Sequence, residues 1–151
     1  MAAAKDAPVV MWFREDLRLS DQPALAAALA LKAPLICLYI LDEESPGLRA
    51  LGGASRWWLH HSLSSLARDI EKRGGALYLF QGAPTKIIDK LVSELSISTI
   101  FWNRRYHPLQ VDADKALKAH YETKGLTVKS FNASLLREPW EVKSKTGNPM
   151  N

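Results

Sequence analysis

The 151-residue sequence predicts an α/β fold: a Rossmann-like doubly wound parallel sheet of five strands, order 3-2-1-4-5, with helices on both faces. Two observations predict it. Short apolar runs rich in β-branched and aromatic residues recur, as expected of strands buried on both faces. Between them lie four stretches with helical periodicity or composition, several ended by glycine, so strands and helices alternate along the chain.

The first strand is Val9-Val10-Met11-Trp12-Phe13. Charge then changes abruptly, with five ionisable groups in Arg14-Glu15-Asp16-Leu17-Arg18-Leu19-Ser20-Asp21. Ser20 and Asp21 are good N-cap residues, Pro23 fits a first helical turn, and residues 24–31 are Ala/Leu-rich. Residues 34–41 form the second strand, completing a β-α-β unit whose crossover is expected to be right-handed. Residues 43–53 hold Pro46, Gly47, Gly52 and Gly53 and read as a long loop, a feature that often carries function.

Residues 55–72 give the clearest helix, with Leu59, Leu63, Leu66 and Ile70 on one face and Gly74-Gly75 beyond its end. Residues 76–80 are the third strand. Residues 83–95 are a helix that should turn Ile87, Ile88, Leu91, Val92 and Leu95 inward. Residues 98–102 are the fourth strand, followed by Asn103-Arg104-Arg105. A helix over 108–124 should place Leu109, Ala113 and Leu117 on the core side, closed by Gly125, and 126–131 are the fifth strand. Residues 132–151, with Pro139, Gly147 and Pro149, have no periodicity and read as the start of a linker. The domain expectation is therefore an α/β domain over 1–131 and linker from 132 onward.

Composition is that of one globular domain: 47% hydrophobic, 24% charged, net charge +4. No apolar run approaches the roughly 20 residues of a membrane helix, and residues 1–8 lack a signal peptide's apolar core, so an intracellular, cytoplasmic protein is expected. Cys37 sits inside a strand as a small core residue, and the four histidines show no metal-ligand spacing with Cys or carboxylates.

The usual catalytic signatures are missing. There is no G-x-G-x-x-G after the first strand, no P-loop and no nucleophile elbow. In the predicted topology the loops after strands one and four form the two lips of one crevice at the switch point. Arg14, Asp16, Arg18 and Asp21 either pair with one another to pin the first loop or serve a ligand; local pattern favours pinning. Trp57 and Trp58 lie off the leucine face of their helix, and a flat ligand and packing against neighbouring elements are equal readings. Trp12 and Trp102 end strands and belong to the core. Asn103-Arg104-Arg105-Tyr106-His107 combines donors, cations and stacking groups suited to a planar, partly anionic ligand, or forms a solvated basic turn.

The run Trp12-Phe13-Arg14-Glu15-Asp16-Leu17-Arg18-Leu19-Ser20-Asp21 closely resembles the opening motif of the photolyase/cryptochrome family. Leu38-Tyr39-Ile40-Leu41-Asp42, Trp57-Trp58-Leu59-His60-His61-Ser62-Leu63, Trp102-Asn103-Arg104-Arg105-Tyr106-His107-Pro108 and Lys145-Thr146-Gly147-Asn148-Pro149 follow in that family's order. The Trp57 and Trp102 segments look most like bacterial class III cyclobutane-pyrimidine-dimer photolyases, the relatives of plant cryptochromes. The resemblance implies the N-terminal antenna-binding α/β domain of a deoxyribodipyrimidine photolyase, a light-driven carbon–carbon lyase of DNA repair. FAD and the damaged-DNA site would lie in a helical C-terminal domain absent from these residues, so the 151 residues alone should repair nothing. The full-length protein is expected to be monomeric and to have no membrane association.

By the same resemblance, Asp42, Arg56 and Asn103 match positions that line the antenna cleft in deazaflavin-binding members. Arg105 stands where those members carry an acidic residue, which weighs against 8-hydroxy-5-deazaflavin. The class III likeness favours methenyltetrahydrofolate, with Trp57 or Trp58 stacking on it, although Leu109-Gln110 replaces the Asn-Glu pair of members that hold folate between domains. The candidate pigment residues are thus Asp42, Arg56, Trp57, Trp58, Asn103, Arg104 and Arg105. Arg14, Asp16, Arg18 and Asp21 match family-wide positions expected to be structural or interdomain. The same domain of a cryptochrome photoreceptor is the alternative, and a nucleotide-binding domain like those of universal stress proteins is a more distant one.

Overall fold

Val9–Phe13 forms strand β1, and all five of its residues are buried. It is the centre of a five-stranded sheet, β3-β2-β1-β4-β5, in which every pairing is parallel. The coordinates are a computed structural model and describe residues 7–142. The Lys145–Pro149 motif and the rest of the expected linker beyond 142 lie outside the described residues. The remaining elements in chain order are α1 (Pro23–Ala30), β2 (Leu35–Leu41), α2 (Gly53–Glu71), β3 (Leu77–Gln81), α3 (Pro84–Leu95), β4 (Thr99–Asn103), α4 (Pro108–Thr123) and β5 (Thr127–Phe131). The expected fold class, strand order and element sequence are those observed.

Strand alternation divides the core into two layers. Val10 and Trp12 of β1 join Leu38, Ile40, Ile100, Trp102 and Val128, covered by Ile88 of α3 and by Leu117 and Tyr121 of α4. Val9, Met11 and Phe13 point the other way and join Cys37 and Phe101, covered by Ala24, Leu25 and Ala28 of α1 and by Leu66 and Ile70 of α2. Both faces of the central strands are therefore dry, which is why β1 and β4 carry no alternation of polar residues. No described helix is long and apolar enough to cross a membrane.

Four local expectations need correction. The N-cap of α1 is Gln22, not Ser20 or Asp21, and its own side chain does not cap that end. Asp21 adopts φ +48°, in the left-handed region, so the chain turns one residue before the N-cap. Helix α4 turns Asp114, Leu117 and Tyr121 inward, whereas Leu109 and Ala113 are exposed. Leu95, in the last turn of α3, is exposed as well. Finally, α2 is buried only at Leu66 and Ile70. Residues 53–58 at its start are exposed, as are Tyr78, Leu79 and Phe80 of the edge strand β3.

Helices α3 and α4 are braced at the surface by Asp89, whose carboxylate accepts from Lys124 Nζ at 2.9 Å and lies 3.5 Å from His120 Nε2. The hydrogen bond from Lys124 is the main reason the Asp89 carboxyl is held below its ordinary value. A carboxyl depressed by folding contributes its full stabilisation above its unfolded value and loses it as pH falls through the folded one. Lys124→Met should therefore cost at most about 1 kcal/mol at neutral pH, because the pair is solvent-screened. Denaturation curves should show that difference closing below about pH 4.

Cys37 is 6% exposed, and burial pushes its thiol up to about 11. A thiol reagent at pH 8 should leave the native chain unlabelled and label Cys37 fully once the chain is denatured. Labelling at similar rates in both states would contradict the packing of β2.

Candidate functional site

The loops that follow β1 and β4 meet at the carboxyl ends of the strands, and their meeting point is built around Arg14. This side chain is 8% exposed, with its guanidinium carbon 5.1 Å from the Trp12 ring centroid and 5.3 Å from that of Trp102. The two indoles stand edge to face at 5.7 Å. A cation between two aromatic faces is attracted by both ring quadrupoles. Arg14 Nη1 donates to Asp114 Oδ1 at 2.5 Å, and Nη2 donates to the Asn103 carbonyl. Burial lowers the guanidinium to about 10, partly offset by Asp114, so it stays charged at neutral pH.

Asn103 belongs to the same knot. Its amide donates to Asp16 Oδ2 at 2.5 Å and to Gln22 Oε1, while its Oδ1 accepts from Ala24 N at 3.2 Å. Both amide N–H groups are thereby committed to holding loops together. Asp16 also accepts from the Arg14 backbone N–H at 2.8 Å and from Gln22 Nε2 at 3.1 Å. Arg18 donates to the carbonyls of Asp21 and Ala133. The expected crevice between the two loops is thus occupied by their own polar side chains. The charged residues of the first loop do pin it, but mostly through Asn103, Asp114 and backbone carbonyls rather than through each other.

The two arginines of the β4 loop diverge. Arg105 Nη2 donates to Asp114 Oδ1 at 2.6 Å, so one buried carboxylate oxygen serves Arg14 and Arg105 together. Arg104 turns toward the segment after β5, donating Nε to Glu138 Oε1 at 2.5 Å and Nη1 to the Ser130 carbonyl at 2.9 Å. Tyr106 joins it, its hydroxyl donating to Glu138 Oε1 at 2.6 Å. Burial, and then the Glu138 carboxylate, raise the Tyr106 phenol above its ordinary value.

The other candidates gather separately, at the β2–α2 loop and the first turns of α2. Asp42 Oδ1 accepts the backbone N–H groups of Glu44 and Ser45 at 3.1 and 3.0 Å, closing the turn after β2. Arg56 pairs with Glu43 and donates Nε to the Leu51 carbonyl at 3.1 Å, tying the far end of that loop to α2. Trp57 and Trp58 are 57% and 67% exposed, packed edge to face at 5.2 Å, with the His61 ring tilted at 57° and 4.3 Å from Trp57. Gly47, at φ +80°, lets the loop pass so near the start of α4 that a Cβ there would lie 3.3 Å from Leu109 Cδ1.

The structure therefore splits the seven candidates. Asp42 and Arg56 hold the β2–α2 loop, and Trp57 and Trp58 follow in the exposed first turns of α2. Asn103 and Arg105 hold the buried switch point, and Arg104 holds the segment after β5. Only the first group presents stacking faces to solvent. Two shallow grooves of ≈ 400 Å³ each lie elsewhere, on either side of Leu19, and touch only Arg18 and Asp21 of the residues singled out. No group of His, Cys, Asp and Glu among the described residues could hold a metal ion.

Gln22, Asp114 and Glu138 were not singled out from sequence. Asp114 did carry a signal: it lies three and seven residues before Leu117 and Tyr121, a lone carboxylate on an apolar helical stripe. Such a residue is buried only if a cation meets it.

The family model for DNA photolyase matches residues 9–151. A deoxyribodipyrimidine photo-lyase of Agrobacterium fabrum is 50% identical over 96% of this chain and 30% of its own length. Cryptochrome-1 of Arabidopsis thaliana is 38% identical over 94% of this chain and 21% of its own. The crystal structure of a bacterial class III photolyase from Agrobacterium tumefaciens superposes with a TM-score of 0.88 at 46% identity, covering 99% of this chain and 30% of that one. The chain thus spans less than a third of the length of these relatives.

Proposed function

The chain belongs to the DNA photolyase family, and from that premise we propose that it is the antenna-binding α/β domain of a deoxyribodipyrimidine photolyase. In this reading residues 1–131 are the domain and 132–151 begin the connection to a helical, FAD-holding part outside these residues. The domain holds a near-ultraviolet or blue-absorbing pigment whose excitation passes to FAD, which drives splitting of pyrimidine dimers in damaged DNA. The family uses an antenna chromophore and FAD. We assign the pigment as methenyltetrahydrofolate in preference to 8-hydroxy-5-deazaflavin.

The observation that carries the reading is the surface of Trp57 and Trp58. Large apolar rings are ordinarily covered in a domain with a core of its own. Here two adjacent indoles stand open next to Arg56 in the exposed first turns of α2. Flat conjugated ligands stack on such rings, and a guanidinium nearby suits an anionic tail. Within this reading Trp57 and Trp58 stack on the pigment and Arg56 meets its charge. Asp42 shapes the loop beside it, while Asn103 and Arg105 keep the neighbouring strand ends in place.

Equilibrium binding of the two pigments to the 151-residue chain tests the assignment: folate should bind at least about tenfold more tightly than deazaflavin, a difference of about 1.4 kcal/mol. Tighter deazaflavin binding would overturn it. The chain alone should repair no thymine dimers under illumination, since flavin and lesion contacts belong to the other part. A cytoplasmic, monomeric full-length protein without membrane contact fits the same reading. The cryptochrome alternative draws on the Arabidopsis relative, but the photolyase likeness is higher in identity and in coverage of both chains.

A further inference from the structure

One of the two grooves beside Leu19, of ≈ 400 Å³, lies between the β1–α1 loop and the end of α2. Leu17 and Leu19 line it and also pack on the α1–α2 side of the core, so its apolar part is held in place. Arg18, Lys72 and Arg73 line it as well, against one carboxylate, Asp69. None of the three cations is closely neutralised. Lys72 Nζ reaches Asp69 only at 3.9 Å, with both side chains more than half exposed, and such a pair is worth little. Arg18 spends Nε and Nη2 on the carbonyls of Asp21 and Ala133, which carry no counter-charge. The Arg73 side chain is exposed and forms no ion pair with another described residue. The dipole at the carboxyl end of α2 accounts for Lys72 and Arg73. It does not account for Arg18, which a different element brings to the same groove.

We propose that this groove binds phosphate esters through their oxyanions, the group shared by free nucleotides and the DNA backbone. Three cations against Asp69 leave two positive charges in excess, which suits a phosphate dianion or two linked phosphates. Guanidinium groups take phosphate oxygens in a fork, and a lysine meets them as a point charge. Arg18 has its Nη1 hydrogens for this, since the loop carbonyls use only Nε and Nη2. The volume lies within the range of about 300–1,000 Å³ usual for small-molecule sites. That leaves room beyond the phosphate, and the Leu17–Leu19 floor receives the uncharged part of the ester. The groove uses none of the residues assigned to the pigment, so it is independent of that assignment.

Calorimetric titration of the 151-residue chain with ATP at low ionic strength tests this. ATP should bind, and Lys72→Gln with Arg73→Gln should weaken it by at least about tenfold. Lys86→Gln with Lys115→Gln removes the same charge from exposed positions outside the groove and should change the affinity by less than about twofold. All four side chains are exposed, so both variants should melt within a few degrees of the wild-type chain. Trp57→Ala with Trp58→Ala should leave ATP binding unchanged. Competition by a short DNA duplex identifies the source of the phosphate. Displacement of ATP at equal phosphate concentration would place the oxyanion on a backbone, and failure to displace it would place it on a free nucleotide. Binding of neither ATP nor duplex would overturn the proposal. So would equal losses in the two lysine-bearing double variants, which would reduce the attraction to the chain's net charge of +4. A loss confined to the tryptophan variant would move the ligand to the pigment surface and equally overturn it.

Discussion

Replacing Asp114 by Ala should lower the unfolding free energy by about 3–5 kcal/mol. The change removes the one carboxylate oxygen that Arg14 and Arg105 share and leaves two like charges facing each other. Arg14 cannot escape to water, since it is enclosed between Trp12 and Trp102. The knot has no spare acceptors to compensate. The Nε–H groups of Arg14 and Arg105 and the indole N–H groups of Trp12 and Trp102 are already buried without hydrogen-bond partners among the described residues. Asp114→Asn should fall between, because it keeps an acceptor but loses the charge. Denaturant titration followed by tryptophan fluorescence reads both variants. A loss below about 1 kcal/mol for Asp114→Ala would mean that the ion pairs only decorate the switch point.

This knot also marks where sequence reading stops. The five strands were legible as short runs rich in apolar, β-branched and aromatic residues, most plainly β1 and β4, which are buried throughout. Their order followed from the two-wing winding usual for such sheets. The boundaries of α1 were less legible, since Ser20 and Asp21 carry the residue types of an N-cap while Gln22 holds the position with its side chain spent on Asp16 and Arg18. The face of α4 was misread for a related reason. Leu109 and Ala113 satisfy helical spacing, but the pull of Arg14 and Arg105 on Asp114 turns that polar residue inward and rolls Leu109 out. Spacing reports apolar stripes, and a buried charge is visible only once its partner, 100 residues away, is placed beside it.

The candidate site divides on the same line. Trp57 and Trp58 were identifiable because two large rings off a leucine stripe are anomalous within one helix. Asn103, Arg104 and Arg105 are consecutive in sequence yet face different neighbours. Consecutive residues leaving a strand end diverge, so composition alone cannot say which of them meet a ligand.

Trp57→Ala with Trp58→Ala should weaken pigment binding by at least tenfold and leave folding almost intact. Stacking of a flat ring on an aromatic side chain is worth about 1–3 kcal/mol, so the loss of both partners dominates any remaining polar contact. The rings are 57% and 67% exposed, so little core packing is forfeited and the melting temperature should change by only a few degrees. Arg56→Met should have a smaller effect, on the order of 1 kcal/mol, because its guanidinium is also tied to Glu43 and to the Leu51 carbonyl.

The central claim is that this domain carries a light-harvesting pigment on the open tryptophan surface of α2. It is tested most directly by titrating the 151-residue chain with methenyltetrahydrofolate, following near-ultraviolet absorbance of pigment that co-elutes with protein, beside the Trp57→Ala/Trp58→Ala variant. The account predicts one pigment retained per wild-type chain and its loss from the folded variant. Retention by the variant equal to wild type, or no retention by the wild-type chain, would contradict it.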